Sequence, residues 1–405
     1  MEGTRDFRLL WAGQAVSQLG SRTYGVAYML WVMAATGSPA LTGVIASITL
    51  GAFTAAQIPA GWLADRFDRR RVMMAADAAS ATAALALCAA AAAGLFSAAL
   101  LAVAGAVLGI GWAVRGVAEV TALPHVVATD RLASAGALME GRAHAAGIAG
   151  PPLAGLTFGL SAALPFLLDA VSYLVALVCA RGVRRPLRTP ATGRAEAHPG
   201  VRQGLRVFWA DRFLRTTALL DGATGLAVNA LGLTVITLLV QGGSGEATIG
   251  LVLGIGSAGA LAGAMIAAPA LRRRRPTRAV LVITPALGAA AVAALATTAA
   301  PFAVALAYAA FMLLQPSWNA VLGAEWLTRV EDAHRGRVQA AIALVGSVPL
   351  VATPALAGAL LTTAGPRATC LACAGVLGAV AVAAAASRAL RADGPGLHAA
   401  VPGIA

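Results

Sequence analysis

The 405-residue chain contains no lysine: its 30 basic residues are all arginine, set against 17 acids. Charge as a whole is scarce, at 12% of residues, while 59% are hydrophobic. An ordinary soluble domain carries roughly 25% charged residues, and no soluble fold of this length buries so much apolar surface. The soluble classes are therefore excluded, and the chain reads as an integral membrane protein. The arginine-only, alanine-heavy composition is what a GC-rich bacterial genome produces. Aromatic residues make up only 5%, so a cavity built from this chain is lined mostly by small, apolar side chains.

Other absences narrow the chemistry. Four cysteines (Cys88, Cys179, Cys370 and Cys373) all lie in apolar runs, and the Cys370-x-x-Cys373 pair has neither a second pair nor a histidine partner. That pattern reads as helix packing and not as a redox or metal site; no metal is expected. No G-x-x-x-x-G-K-[ST] occurs, which removes a P-loop ATPase. No loop gathers His, Asp or Cys into a catalytic cluster, which counts against an enzyme. "MEGTRDFRLLW" leads into a long segment without the short apolar core and small-residue cleavage site of a signal peptide, so no cleavable signal is expected.

What is present is a series of charge-free stretches, each able to supply the about 20 residues of a bilayer crossing. They cover 23–64, 78–114, 143–168, 222–245, 247–271, 279–324, 338–366 and 368–387. Turn residues in "TGSPA" (36–40), "AGLFS" (93–97) and "TAAP" (298–301) divide the longest ones. Asp169 interrupts a further apolar segment, 164–180. The pattern predicts an all-α polytopic membrane protein of twelve transmembrane helices. They lie near 7–35, 39–64, 71–94, 97–122, 136–160, 164–181, 213–241, 247–270, 277–298, 301–326, 338–362 and 367–388.

The arginines orient it. The turns after the even helices hold Arg66 to Arg71, Arg131, Arg181 to Arg215, Arg272 to Arg278 and Arg329 to Arg337, whereas those after the odd helices hold only Arg367. By the positive-inside rule the arginine-rich side is cytoplasmic. A multi-pass protein of the cytoplasmic (inner) membrane with both termini inside is expected. The net charge of +13 is then a topology signal, and no nucleic-acid partner is implied.

The stretch "GVRRPLRTPATGRAEAHPGVRQGLR" at 182–206 splits the chain in two. The expected organisation is a six-helix bundle over 1–181, a solvated cytoplasmic linker over 182–212, a second bundle over 213–388 and a disordered tail over 389–405. The halves echo each other. "GPPLAGL" at 150–156 returns as "TPALAGA" at 353–359, an offset of about 203 residues, and "TGVIASITLGAF" at 42–53 has a weaker counterpart in "IGLVLGIGSAGA" at 249–260. Parallel repeats joined by a long linker predict two bundles that rock around a central site.

"GWLADRFDRRR" at 61–71 resembles the signature loop of the major facilitator superfamily, Gly-x-x-x-Asp-Arg-x-Gly-Arg-Arg. Gly61, Asp65, Arg66, Arg69 and Arg70 match it, and Asp68 stands where the second glycine usually is. "FRLLWAGQAVSQLG" (7–20), "TGSPALTGV" (36–44), "DRLASAGAL" (130–138), "GPPLAG" (150–155) and "PFLLDAVSYL" (165–174) extend the similarity. They place it nearest the drug and siderophore exporter branch, similar to enterobactin exporters. The resemblance implies the major facilitator fold and a monomeric secondary transporter. It also implies a gate. An aspartate at a helix C-terminus faces the unfavourable end of that helix's dipole. The family's pattern supplies Asp65 with the N-terminal end of helix 11, around Gly336 to Val338, while the cytoplasmic side is closed. Arg66 or Arg69 would pair with an acid at the foot of helix 4, Glu119 or Asp130, while Arg71 anchors the topology. "GIAGPPLAG" at 147–155 packs small residues along helix 5, and the resemblance makes Gly147, Gly150, Pro151 and Gly155 an exporter motif that seals the closed interface.

Ionisable residues inside spans are expensive and face a cavity or a partner. Arg22 falls near the middle of helix 1. Arg115 and Glu119, four apart in helix 4, share a face and are expected to neutralise each other. Asp169 lies near the outer end of helix 6, within reach of water. Asp221 lies in the cytoplasmic third of helix 7, with Asn229 two turns further in. Each acid reads either as half of a structural pair or as a proton carrier, because an apolar setting favours the neutral form of a carboxyl group. His144 on helix 5 reads first as a packed neutral histidine. Arg22 and Arg115 are available for an anionic group.

The reading is a transporter that exports an amphipathic small molecule (a drug, siderophore or secondary metabolite) by proton antiport. Its partners are that molecule, protons and the bilayer, with no cofactor beyond the proton gradient. A nutrient importer of the same fold, and a membrane enzyme or lipid-flipping protein, are the alternatives.

Overall fold

The computed structural model of the chain describes residues 2–185, 187, 208–272, 277–329, 335–387 and 390, with the backbone alone over most of 335–349. No strand occurs among them. The helices are α1 (Glu2–Thr36), α2 (Pro39–Arg66), α3 (Arg69–Ala92), α4 (Ala98–Val126), α5 (Leu132–Leu160), α6 (Leu164–Arg181), α7 (Arg212–Gln241), α8 (Glu246–Arg272), α9 (Thr277–Leu295) and α10 (Pro301–Arg329). The run Arg335–Ala386 is broken at Gly365, whose φ of 81° and ψ of 172° are open to glycine and strained for other residues. It therefore forms two helices, α11 (335–364) and α12 (366–386), and completes the expected twelve.

Local chemistry starts these helices. The Ser38 side chain caps α2 by accepting from Leu41 N–H at 3.2 Å, and Ser97 caps α4 in the same way through Leu100. Asp211 opens α7 by accepting from Phe213 and Leu214. Each cap satisfies amide donors that a helix leaves free at its start.

Among the described residues nine helical segments are long and apolar enough to cross a membrane, Leu350–Ala386 counting as one. The helices that fall short, α1 and α5, carry Arg22 and the Glu140–Arg142 pair inside them. The outer surface is studded with exposed large apolar side chains, among them Leu160, Val178, Phe302 and Val382. Lipid accepts such a surface and water does not.

Helices α1 to α6 form one bundle: α1 lies on α5 and α6, α3 on α4 and α6, and α2 on α4. In the second bundle α8 lies on α10, while α7 and α9 pack against the α11–α12 run. The bundles meet along two lines, α2 against the α11–α12 run and α5 against α8. Tyr24, Trp31 and Phe166 pack ring against ring in the first bundle, and a second core surrounds Trp318 in the other.

Several expected boundaries move. Helix α1 begins at Glu2, α4 runs on to Val126 and α10 to Arg329. The start of the linker is packed onto the first bundle, although Arg184 and Arg185 stay exposed. Val183 and Leu187 are buried against α1, α3 and α4, and Asp6 accepts from the N–H groups of Arg184 and Arg185. Phe208 and Leu390 likewise belong to the second bundle's core, although they were assigned to linker and tail. Residues 188–207 and 391–405 lie outside the described residues.

Candidate functional site

The arginine loop at 61–71 is built from its own capping chemistry. Asp68 takes an ordinary extended conformation (φ −61°, ψ 118°) and caps α3, accepting from the N–H groups of Arg70 at 2.9 Å and Arg71 at 3.4 Å. No left-handed residue is needed at this position, so an aspartate serves where the signature has glycine. Arg69 is buried. It donates from Nε to Thr121 Oγ1 at 3.1 Å and from Nη1 to the Leu187 carbonyl at 3.1 Å. Arg70 donates to the Val183 carbonyl at 3.0 Å. Arg66 lies over the Trp62 ring, 5.3 Å from its centre. In this structure neither Arg66 nor Arg69 pairs with Glu119 or Asp130, a pairing expected only with the cytoplasmic side closed: Glu119 has another partner, Asp130 is exposed, and Arg69 clasps the start of the linker. Asp65 is exposed and makes no ion pair among the described residues. The side chains around Gly336 to Val338, its expected partner, lie outside the described residues.

The two sequence repeats turn out to be each other's partners. A Cβ on Gly43 would overlap the Pro354 carbonyl, and one on Gly250 would overlap the Pro151 carbonyl. A Cβ on Gly358 would overlap the Pro39 carbonyl, and one on Gly155 that of Glu246. The α2–α11 line thus repeats the α5–α8 line, backbone pressed on backbone. Ser47 Oγ also accepts from Ala355 N–H at 3.0 Å. These contacts occupy the arginine-poor half of the molecule and end near Gly51, 3.2 Å from Val351 if given a Cβ, and Gly147, 4.0 Å from Ser257. Further toward the arginine-rich face, Gly61, Gly136 and Gly141 have no neighbour within 4 Å of an added Cβ among the described residues. Among the described residues, the backbone contacts between the bundles are confined to the arginine-poor half. Of the four glycine and proline positions assigned to helix 5, Pro151 and Gly155 form the seal and Gly147 lies at its edge. Gly150 instead seats α1, against Arg22 and Thr23.

Charges inside the first bundle are mostly consumed by each other. Arg115 forms an ion pair with Asp77 of α3, both buried. Arg142 of α5 grips Glu119 with both terminal nitrogens, at 2.8 and 3.0 Å, and donates from Nε to Gln18 of α1 at 3.2 Å. The expectation that Arg115 and Glu119 neutralise each other is overturned. They share a helix face, but each reaches across to a different neighbouring helix; Arg115 meets Asp77 through Nη1, while its Nε and Nη2 have no hydrogen-bond partner among the described residues. Asp77 and Arg142 were not singled out from the sequence. Their signal was there, as charges stranded within α3 and α5.

Arg22 remains exposed, with no hydrogen bond or ion pair among the described residues, beside the inner end of the seal. Asp169 is the opposite case. It is fully buried, and neither carboxylate oxygen has a hydrogen-bond partner among the described residues. The expected access of water is overturned, because α1 closes over it at Gly20, where a Cβ would come within 2.9 Å of Asp169 Oδ1 and overlap Ser172. Tyr24 and Tyr173 are the titratable groups beside it. The Tyr24 hydroxyl also lacks a hydrogen-bond partner among the described residues, whereas the Tyr173 hydroxyl meets Ser21 at 2.9 Å and accepts from Trp112 Nε1 at 2.7 Å. In the second bundle, Asp221 accepts from Trp318 Nε1 at 2.8 Å, and the exposed Asn229 donates to the Gly225 carbonyl at 2.9 Å. His144 is half-buried on α5.

No curated protein matches the chain. Among solved structures, a bacterial homolog of the human lysosomal transporter Spinster, inward-facing and unoccupied, is similar with a TM-score of 0.76 at 13% identity, over 96% of this chain and 97% of that one. The nucleoside transporter NupG gives 0.77 at 12% identity, over 94% and 98%. A bacterial homologue of the iron transporter ferroportin, inward-facing, gives 0.74 at 15%, over 95% and 99%. Likeness at such identities speaks for the fold alone. The family model of the Major Facilitator Superfamily matches residues 10–326. With that match, its signature loop and its two repeated six-helix bundles, the chain belongs to the Major Facilitator Superfamily.

Proposed function

We propose that this secondary transporter exports an amphipathic small molecule bearing an acidic group, in exchange for protons, across the cytoplasmic membrane. The arginine-rich face is read as cytoplasmic by the positive-inside rule, which makes the close backbone contacts of the arginine-poor half an outward seal. One observation carries the reading. Once the buried ion pairs are formed, Arg22 beside the seal and Asp169 under α1 are left without partners among the described residues. Arg22 offers a guanidinium fork to a carboxylate or sulfate. Asp169 in this packing has no cation beside it and only the Ser172 hydroxyl nearby, and burying a charge without a counter-ion costs several kcal/mol. Loss of its proton therefore favours a state in which α1 no longer covers it. A ligand shifts a conformational balance only by its differential affinity for the two states, and a proton on Asp169 has such a difference. Exporter direction rests on the likeness of the loop and of "GPPLAG" to that branch.

The test begins by comparing spent media of strains with and without the gene for a missing acidic metabolite. That metabolite's pH-gradient-driven uptake into inverted vesicles is then measured. Asp169→Asn is expected to abolish accumulation while sparing exchange at equilibrium, and Arg22→Gln to raise KM. Accumulation as in the parent by Asp169→Asn removes the coupling assignment. A missing metabolite that is neutral or cationic removes the substrate class, and lost accumulation inside the deletion strain, in place of lost secretion, removes the direction.

A further inference from the structure

Away from the seal and the interior ion pairs, the first bundle holds a cleft of about 840 Å³ at its arginine-rich end. It lies between the start of α1, the end of α4 and the link into α5. Phe7, Trp11 and Leu138 give it an apolar wall, and Arg8, Arg131 and Arg185 bring three cations to it. Asp130 is the one acid in its lining. All three arginines are exposed, and none is in an ion pair among the described residues. The cleft is also built, not an accident of surface. The Trp11 indole donates to the Leu138 carbonyl at 3.1 Å, tying α1 to α5 across it. Arg185 is pinned by its backbone N–H to Asp6 at 3.0 Å and by Nη1 to the His125 carbonyl at 3.2 Å.

Topology alone places arginines on this face, but it does not require three of them to converge on one apolar-walled cavity. The cleft lies at the arginine-rich ends of α1 and α4, and its cations outnumber its acid. We propose that it binds the phosphate headgroup of an anionic phospholipid, with the arginines on the phosphate and the apolar wall against the glycerol and the start of an acyl chain. A free phosphate would leave that wall uncovered, which favours the lipid.

The experiment uses the full-length purified protein in neutral detergent and reads its thermal midpoint while phosphatidylglycerol, phosphatidylcholine or glycerol 3-phosphate is added. Phosphatidylglycerol is expected to raise the midpoint in a saturable way, and the other two are not. The combined Arg8→Gln, Arg131→Gln and Arg185→Gln variant should need at least about tenfold more phosphatidylglycerol for the same shift. A control removing as much charge from the same face, Arg71→Gln, Arg181→Gln and Arg212→Gln, should behave as the parent. Equal loss in both triple variants would reduce the cleft to general surface charge. Equal protection by glycerol 3-phosphate overturns the lipid, and equal protection by phosphatidylcholine overturns the anion. If the cleft triple does not fold, phosphatidylglycerol retained by Arg8→Gln in native mass spectrometry decides. Retention equal to the parent sinks the proposal.

Discussion

The seal at the arginine-poor face makes the sharpest quantitative demand on the structure. At Gly250 the helix backbone lies on the Pro151 carbonyl, and an added Cβ falls inside van der Waals contact with an atom that cannot swing away. Gly250→Ala must therefore push α8 off α5 or strain both. Overpacking by one methyl in a tight interface costs about 1–3 kcal/mol. The helix preference of alanine over glycine acts in both the sealed and the unsealed state and cancels from their ratio. A differential of that size lowers the ratio of sealed to unsealed molecules about 5- to 150-fold. Two internal controls follow from the same geometry. Gly51→Ala meets only the Val351 side chain, at 3.2 Å, and Gly147→Ala stays 4.0 Å from Ser257, so the first should act weakly and the second not at all. The reporter sits on the other line of contact, where local loosening around residue 250 does not reach. A cysteine at Ser47, whose hydroxyl holds Ala355 N–H, is placed in a background without Cys88, Cys179, Cys370 and Cys373. An impermeant thiol reagent is then applied to the arginine-poor face of sealed vesicles. Gly250→Ala should raise the labelling rate at least about fivefold, and adding Gly43→Ala should multiply the effect, since the two lines share no atoms. Unchanged labelling in Gly250→Ala, or an equal rise in Gly147→Ala, would refute the argument that glycine is there for closure.

Two stability predictions concern the charged groups. Asp68→Ala should cost about 1 kcal/mol by uncapping α3, and Asp68→Gly only a few tenths, as read by thermal midpoint; equal losses would mean that the cap does not hold the loop. Arg115→Gln strands Asp77 in the interior and should destabilise by about 3–5 kcal/mol. The double change with Asp77→Asn should recover much of that, and a double variant no better than the single would place the pair outside the stability of the bundle.

Much of the fold was legible because a membrane imposes it. Run length, turn residues and the side on which arginines gather are each one-dimensional signals, and twelve helices follow from them. The seal was legible too, in an unexpected form. The two repeated stretches, 42–53 with its counterpart and 150–156 with its counterpart, were read as evidence of symmetry, and they proved to be the surfaces that touch. Side-chain partners were not legible. Spacing within α4 suggested that Arg115 and Glu119 meet, but a pair on one helix face competes with every facing helix. Asp77 and Arg142 offered buried geometry that the exposed i, i+4 contact does not. Asp169 shows the same limit in depth. Position along α6 gave its distance from the membrane surface, whereas its isolation depends on Gly20 of α1, about 150 residues away in sequence.

The repeat also separates closure from chemistry. Both halves keep the glycines and prolines by which α2 meets α11 and α5 meets α8, because a two-fold closure needs matching backbone at both lines. The interior charges are not kept. At the repeat spacing that relates α4 to α10, Arg115 corresponds to Trp318 and Glu119 to Leu322, both buried and neutral. Among the described residues the buried ion pairs and the isolated Asp169 all lie in the first bundle. Under the proposed coupling a proton bound there would act on how α1 packs within its own bundle; α1 meets α5 beside the seal through Arg22 and Thr23 against Gly150. One residue further along α5, Pro151 presses on Gly250 of the other bundle. The route proposed from the buried acid to the closed face thus runs Asp169, α1, Gly150, Pro151, and among the described residues no isolated buried carboxylate gives the second bundle a counterpart.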